Sequence, residues 1–188
     1  MAKLDIIIAS TRPGRAGLPI GTWFADFARR HGKLEVRVVD LAVVNLPMLD
    51  EPKHPRFAQY EQPHTKAWSA TVDEADAFVF VTPEYNYSAP PTLLNALNFL
   101  SREWAYKPVA FVSYGGIAGG TRAAQMLRLT VTALRMVPLV ESVTLPFVGK
   151  QIEEGVFKAS EGNEQVAAIM LDELARWAET LAPMRKQP

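Results

Sequence analysis

The stretch Leu4-Asp5-Ile6-Ile7-Ile8-Ala9 runs directly into Ser10-Thr11-Arg12-Pro13-Gly14-Arg15-Ala16-Gly17 near the start of the chain. The first six residues are rich in isoleucine and are followed by turn residues, a pattern that predicts a short buried β-strand. Beyond the turn, apolar residues recur at the spacing of one helix face up to His31, and Gly32 is a natural helix stop. We therefore expect a buried strand, a polar turn and an amphipathic helix, in that order.

The same alternation of strands and helices continues along the chain. Strands are predicted at residues 4–9, 34–39, 77–81, 109–113 and 139–145. Helices are predicted near residues 20–31, 65–72, 90–100, 121–136 and 163–181. Three of the strands are apolar throughout, as expected for a sheet that is covered on both faces. The pattern indicates an α/β fold with a doubly wound, five-stranded parallel sheet and helices on both faces, formed by residues 1–188 as a single domain.

An irregular stretch from Asn45 to His64 interrupts this alternation and contains prolines at positions 47, 52, 55 and 63. A long loop inside a compact domain is often functional. A packed surface crossover is the other interpretation, and the sequence favours it slightly.

Composition narrows the class of protein. Lys plus Arg and Asp plus Glu both number 20, so the formal charge is zero. This balance argues against a nucleic-acid-binding protein or a polybasic membrane anchor. The chain has no cysteine, and His31, His54 and His64 are not at metal-ligand spacing, so no metal is expected. The start of the sequence lacks a signal-peptide pattern and no apolar stretch could span a bilayer, so we expect a cytoplasmic protein with no membrane partner.

Three loops are expected at the carboxyl edge of the sheet, where such folds bind ligands. The first, Ser10 to Gly17, offers hydroxyls, arginines and backbone amides at a helix start, which favours a phosphate group. The second, Thr82 to Pro91, combines Tyr85, Asn86 and Tyr87, which suits the edge and face of a flat heterocycle. An alternative is a rigid turn whose tyrosines fill a dimer contact. The third, Ser113 to Thr121, is rich in glycine and is a weak signal by itself.

Two nucleotide-binding motifs can be tested and rejected. Residues 115–121 have the glycine spacing of a P-loop, but no lysine precedes Thr121. The first strand is not followed by G-x-G-x-x-G, which argues against a Rossmann-type dinucleotide site. A mononucleotide remains, and FMN is the commonest one in five-stranded doubly wound domains.

The combination of Ser10-Thr11-Arg12-Pro13-Gly14-Arg15, Pro83-Glu84-Tyr85-Asn86-Tyr87-Ser88 and Gly115-Gly116 resembles the NADPH-dependent FMN reductase family, whose relatives include azo, quinone and chromate reductases. The resemblance covers nearly the whole chain and implies a flavodoxin-like fold with strand order 2-1-3-4-5. It implies that the first loop holds the FMN phosphate and that the other two loops flank the ring. The residues so implicated are Ser10, Arg12, Arg15, Gly17, Pro83, Glu84, Tyr85, Asn86, Tyr87, Ser113, Gly115 and Gly116.

The sequence departs from the family pattern at three positions. Ala9 stands where many members have glycine, Arg15 where many have serine, and Gly17 where many have asparagine. At Ala9 we expect a slightly tighter strand end, whereas the departures at Arg15 and Gly17 affect the details of phosphate contact but not its place. The family is also implied to form homodimers or homotetramers through the helix that follows the second loop.

The leading functional hypothesis is an FMN-dependent oxidoreductase. It would pass a hydride from NADPH or NADH through bound FMN to a small-molecule acceptor, namely a quinone, an azo compound, free flavin or a metal oxyanion. No catalytic side chain is expected, because the flavin carries the chemistry. Two alternatives stay open at this point: a flavodoxin-type electron carrier, against which the neutral charge and the two arginines count, and a flavin-free interaction protein on the same scaffold.

Overall fold

A computed structural model describes residues 1–185. Five strands form one parallel sheet in the order β2-β1-β3-β4-β5, which confirms the predicted fold class and strand order. The strands of this sheet are β1 (Lys3–Ile8), β2 (Glu35–Asp40), β3 (Ala77–Pro83), β4 (Pro108–Tyr114) and β5 (Val137–Leu145).

Helices and strands alternate along the chain in the predicted order. They are α1 (Gly17–His31), α2 (Leu41–Val44), α3 (Pro63–Asp73), α4 (Pro91–Asn98), α5 (Thr121–Ala133) and α6 (Glu161–Arg185). The sequence pattern did not predict the one-turn helix α2 or the small hairpin of β6 (Ile152–Glu153) and β7 (Val156–Phe157) that follows β5. Within residues 1–185, no helix combines the length and the apolar character needed to cross a bilayer.

The sheet separates two apolar layers, and β3 shows how. Its side chains alternate, so that Val79 and Val81 face one layer while Phe78 and Phe80 face the other. Helices α1 and α6 cover the first layer, and α3, α4 and α5 cover the second. Because β3 is buried along its whole length, its sequence shows no polar alternation, as expected for a central parallel strand.

The stretch from Asn45 to His64 is irregular for most of its length, as its prolines predict. A single 3₁₀ turn at Pro55–Phe57 interrupts it, and Pro63 already belongs to the first turn of α3, where proline is well accommodated. The stretch crosses from the end of β2 to the start of α3 on the face covered by α4.

The register of the sheet brings three turns to one edge. Ile8 of β1 pairs with Val81 of β3, and the last residue of β3, Pro83, pairs with Tyr114 of β4. Tyr114 in turn lies beside Leu145 at the end of β5. The turns after β1, β3 and β4 therefore leave the sheet side by side.

Candidate functional site

The turn after β1 is tied to the end of β4 by a buried hydroxyl pair. Ser10 is 1% exposed, and the Tyr114 hydroxyl donates a hydrogen bond of 3.2 Å to Ser10 Oγ. Gly17 packs against this pair so closely that a Cβ there would lie 2.6 Å from Tyr114 Oη and 2.9 Å from Ser10 Oγ. Burial raises the pKa of Tyr114 to about 12, so its hydroxyl stays protonated and keeps donating. Gly17 is therefore required for the approach of α1 to the sheet.

Helix α1 begins without a side-chain cap. Its N-cap residue, Ala16, offers no side-chain acceptor, and the first turn contains no acidic residue. The first helical hydrogen bond runs from the Ile20 amide to the Ala16 carbonyl at 3.3 Å, which leaves the amides of Gly17 and Leu18 ahead of it. Amides at a helix start bind anions through their N–H groups and the helix dipole. The donor set at this turn fits a phosphate group.

The two arginines of the turn differ in their surroundings. Arg12 is exposed and makes no ion pair or side-chain hydrogen bond within residues 1–185. Arg15 is 14% exposed and donates 2.7 Å to Asp40 Oδ1 and 2.6 Å to the Ser10 carbonyl. Arg12 is thus available to a ligand, whereas Arg15 fastens the turn to the end of β2.

The turn after β3 is a tight two-residue reversal. The Tyr85 amide donates to the Ser88 carbonyl at 2.9 Å, and the Ser88 amide donates back to the Tyr85 carbonyl at 3.0 Å. Between them, Asn86 and Tyr87 both have positive φ, at 49° and 67°. These are the features of a type I′ turn, whose central positions favour Asn and Gly. Tyr87 is an unusual residue there, and such strain is concentrated at functional sites.

Glu84 fixes this turn against the start of α5. Its side chain is 8% exposed and accepts hydrogen bonds from the Arg122 amide at 3.1 Å and from Arg122 Nε at 2.6 Å. The same guanidinium lies 3.9 Å from the centroid of the Tyr87 ring, a cation–π contact. Glu84 and Arg122 together hold Tyr87 at the rim of the site.

The third turn contains a glycine, Gly116, at which a side chain would meet open space. The Gly115 amide donates to the Leu145 carbonyl at 3.2 Å, and Ser113 Oγ donates to the Gly119 carbonyl at 3.0 Å, so both residues are occupied within the fold. A Cβ on Gly116, by contrast, would meet nothing within 4 Å. Packing among the described residues does not require glycine at position 116, and the missing side chain leaves room for a ligand to approach the backbone.

The structure thus gathers the predicted residues at one edge and divides them into two groups. Arg12, Tyr85, Asn86 and Gly116 present groups at the surface of the site. The others brace the turns from behind: Ser10, Arg15, Gly17, Glu84, Ser113 and Gly115. Pro83 is the buried last residue of β3, and Tyr87 is 65% exposed.

Sequence reasoning missed three residues that shape the site: Asp40, Tyr114 and Arg122. Asp40 lies at the carboxyl end of β2, the same edge as the phosphate turn, and this position was the available signal. Tyr114 directly precedes the glycine pair at the end of β4. Arg122 directly follows the glycine-rich residues 115–121, which were tested only as a P-loop.

The chain resembles known flavin-dependent reductases in sequence and in fold. The sequence profile of the family described as NADPH-dependent FMN reductase matches residues 2–150. An NAD(P)H-dependent FMN reductase of Schizosaccharomyces pombe is 40% identical, over 77% of this chain and 74% of its own length. A quinone reductase of Escherichia coli is 32% identical, over 64% of this chain and 74% of its own length.

A solved structure, the flavoenzyme NAD(P)H:(acceptor) oxidoreductase FerB from Paracoccus denitrificans, superposes with a TM-score of 0.78. It is 19% identical and the match covers 96% of this chain and 98% of that one, so it supports the fold. Fold and sequence together define a flavodoxin-like flavoprotein. More specifically, the chain belongs to the NADPH-dependent FMN reductase family, and the predicted class of enzyme, an FMN-dependent NAD(P)H oxidoreductase, is confirmed.

Proposed function

We propose that this enzyme uses NAD(P)H to reduce a quinone, with FMN held by the three turns at the carboxyl edge of the sheet. The observation that carries the cofactor site is the uncapped start of α1 beside Arg12, whose side chain has no partner among residues 1–185. Support for the acceptor comes from the relative that is a quinone reductase. When bound, FMN supplies the hydride chemistry between nicotinamide and acceptor.

In this proposal the protein binds, positions and shields the cofactor. The Gly17 amide and the Arg12 guanidinium would hold the phosphate, Ser10 would support the turn from behind through Tyr114, and Arg15 keeps the turn in place through Asp40. Backbone groups of Pro83 to Tyr87 would contact the ring and ribityl chain. Gly115 and Gly116, with Ser113 behind them, would close the other side of the ring. No acid or base is required from the chain for hydride transfer.

We expect residues 1–188 to work as one FMN-binding domain in the cytoplasm, without a nucleic-acid partner. We also expect a homodimer or homotetramer built through α4, whose Leu94 is only partly buried within the chain. Sedimentation velocity of the FMN-loaded protein checks the oligomeric state, and a monomer at micromolar concentration would contradict it.

The central experiment is a spectrum followed by an assay. Protein purified or reconstituted with FMN should show the flavin absorption bands and should oxidise NADPH or NADH when 2-methyl-1,4-naphthoquinone is supplied. Protein that stays colourless after incubation with FMN overturns the cofactor site. Flavin-loaded protein that ignores both nicotinamides overturns the reductase function and favours an electron carrier.

Arg12→Ala tests the phosphate contact itself. It should weaken FMN binding about tenfold or more, because a hydrogen-bonded charge pair contributes about 1.5–3 kcal/mol. Riboflavin, which lacks the phosphate, should bind the variant and the parent equally. Arg176→Ala, on an exposed position of α6, is the matched control for loss of one positive charge. An unchanged FMN affinity in Arg12→Ala would remove Arg12 from the site.

A further inference from the structure

A 3₁₀ turn at Val148–Lys150 follows β5 and lies against the third turn of the cofactor site. The Phe147 amide donates to the Gly116 carbonyl at 2.9 Å, and the Val148 amide donates to the Gly115 carbonyl at 3.2 Å. Val148 is 8% exposed and packs in the apolar layer that α1 and α6 cover, which anchors the segment. The chain after β5 is therefore held beside the turn that the proposed function places next to the flavin ring, and it has no assigned role.

Phe147 is an exposed aromatic residue on a strained backbone. It is 51% exposed, and its φ of 50° lies in the left-handed region that residues other than glycine rarely adopt. The backbone around it is fixed, since the Lys150 amide donates to the Phe147 carbonyl at 2.9 Å. Gln151 Nε2 also donates to the Pro146 carbonyl at 2.7 Å. Strain of this kind is concentrated at functional sites, and here it holds a large flat ring at the surface.

Lys150 places an available cation beside this ring. Positions 147 and 150 are three residues apart, and side chains with this spacing lie on the same side of a 3₁₀ turn. Lys150 Nζ is accordingly 5.8 Å from the centroid of the Phe147 ring. The Lys150 side chain is exposed and forms no ion pair or hydrogen bond among residues 1–185. Arg122, at the start of α5, is by contrast paired with Glu84. Lys150 can therefore bind an anionic ligand without giving up another partner.

An aromatic ring beside an available ammonium group matches the adenosine end of NADPH. Adenine stacks on aromatic side chains, and lysine binds phosphate as a point charge. In NADPH the 2′-phosphate is carried by the same ribose that bears the adenine, so a ring and a neighbouring cation can bind both groups at once. NADH presents the same adenine and has a 2′-hydroxyl in place of the phosphate.

We infer that Phe147 and Lys150 bind the adenosine end of the dinucleotide, with adenine on the Phe147 ring and the 2′-phosphate on the Lys150 ammonium, and that the protein therefore selects NADPH over NADH. The inference rests on the proposed FMN site, because the nicotinamide has to reach a flavin ring beside Gly116. Phe147 serves both dinucleotides, whereas Lys150 recognises only NADPH. Both residues bind and orient the dinucleotide, and neither takes part in hydride transfer.

The test measures nucleotide binding separately from turnover. Adenosine 2′,5′-bisphosphate and 5′-AMP differ only in the 2′-phosphate, and calorimetry gives the affinity of FMN-loaded protein for each of them without any reaction. The variants are Lys150→Gln, Phe147→Leu and Phe147→Tyr. Lys66→Gln is the matched control for loss of one positive charge, because Lys66 is exposed on α3, which covers the other face of the sheet. The KM values for NADPH and NADH are measured in turnover with 2-methyl-1,4-naphthoquinone.

We expect the parent to bind adenosine 2′,5′-bisphosphate more tightly than 5′-AMP. Lys150→Gln should weaken binding of the bisphosphate and raise the KM for NADPH about three- to tenfold, the range of one charged hydrogen bond at an exposed position. Its affinity for 5′-AMP and its KM for NADH should change by less than about twofold, because neither ligand carries the 2′-phosphate. Phe147→Leu should weaken both nucleotides about fivefold, the low end for loss of one base–aromatic stack. Phe147→Tyr keeps the flat ring and should stay within about twofold of the parent.

Two results overturn the inference for the 2′-phosphate: a parent that binds both nucleotides equally, and a Lys150→Gln protein that keeps the parental preference. Parental affinity for both nucleotides in Phe147→Leu overturns the adenine contact. FMN-loaded protein that binds the nucleotides as expected but oxidises neither NADPH nor NADH would instead contradict the proposed function, so the two failures are distinguished.

Discussion

Arg15 and Asp40 form a two-pronged ion pair that joins the phosphate turn to the end of β2, and both side chains are about 15% exposed. The same Asp40 carboxylate accepts from the Ala42 amide and caps α2. One ion pair therefore connects a turn of the cofactor site with the short helix that opens the crossover to α3. Arg15 is better placed to hold the turn than to bind a ligand.

The first prediction concerns the stability of this pair. Arg15→Met and Asp40→Asn should each lower the free energy of unfolding by about 1–3 kcal/mol, because each leaves a partly buried charge without its partner. The double variant should lose clearly less than the sum of the two. Asparagine retains an oxygen that can cap α2, so this substitution isolates the charge. Urea unfolding of all four proteins gives the coupling, and strictly additive losses would show that the pair does not act as a unit.

The second prediction distinguishes a structural role of Arg15 in the turn from direct contact with the phosphate. If Arg15 acts only through its ion pair with Asp40, Arg15→Met and Asp40→Asn should weaken FMN binding by the same factor, because both release the same turn. Riboflavin, which lacks the phosphate, should bind both variants as it binds the parent. Fluorescence titration of both flavins with both variants measures these losses. A loss of FMN affinity in Arg15→Met that clearly exceeds the loss in Asp40→Asn would place the Arg15 guanidinium on the phosphate itself.

The third prediction tests the close approach of Gly17 to Tyr114. A methyl group at position 17 would lie 2.6 Å from Tyr114 Oη, a separation that requires movement of the ring or of α1. Gly17→Ala should lower the free energy of unfolding by about 1–3 kcal/mol through overpacking. Tyr114→Phe removes the hydroxyl, so adding it to Gly17→Ala should recover part of the loss in thermal unfolding. The proximity of Ser10 Oγ limits the recovery, and no recovery at all would place the clash on Ser10 alone.

The fold could be predicted from the sequence because its strands are apolar runs and its helices have one apolar face, and both signals are local. The different roles of the site residues could not be predicted, because they depend on contacts between segments that are distant in the sequence. Arg12 and Arg15 are equivalent in the sequence, and only the position of Asp40 distinguishes them. Likewise Gly115 and Gly116 form one motif, yet the Gly115 amide donates to the Leu145 carbonyl, whereas the Gly116 carbonyl accepts from the Gly119 and Phe147 amides.

The fourth prediction concerns a buried lysine at the opposite edge of the sheet. Lys107 is 4% exposed, and its ammonium donates to the Val72 and Asp73 carbonyls at the end of α3. Burial lowers the pKa of Lys107 to about 8, although Asp73, Asp76 and Asp5 act in the other direction. The unfolded chain holds this proton up to a pH of about 10.4, so between these two values the unfolded state binds more protons.

Stability therefore rises with pH in that window. The free energy of unfolding of the parent should increase relative to Lys107→Met between pH 8 and about 10. Lys66→Met, at an exposed position of α3, is the control and should follow the parent. Parallel pH profiles for the parent and Lys107→Met would mean that the lysine titrates normally in the folded protein.

The fifth prediction contrasts two glycines of the third turn. Gly120 has a φ of 83°, and a Cβ there would lie 2.6 Å from the Tyr114 amide, so Gly120→Ala should lower the free energy of unfolding by about 2 kcal/mol or more. Gly116→Ala meets open space and should change it by less than about 1 kcal/mol. If Gly116 borders the flavin ring, the same variant should nevertheless bind FMN at least about tenfold more weakly, since an added methyl forces the ring away from its place. For each variant, thermal unfolding of the apoprotein measures its stability, and titration with FMN measures its affinity for the cofactor. Parental stability together with parental FMN affinity in Gly116→Ala would mean that the ring does not lie beside this turn. Tyr85 and Asn86 would then contact the ring without the third turn.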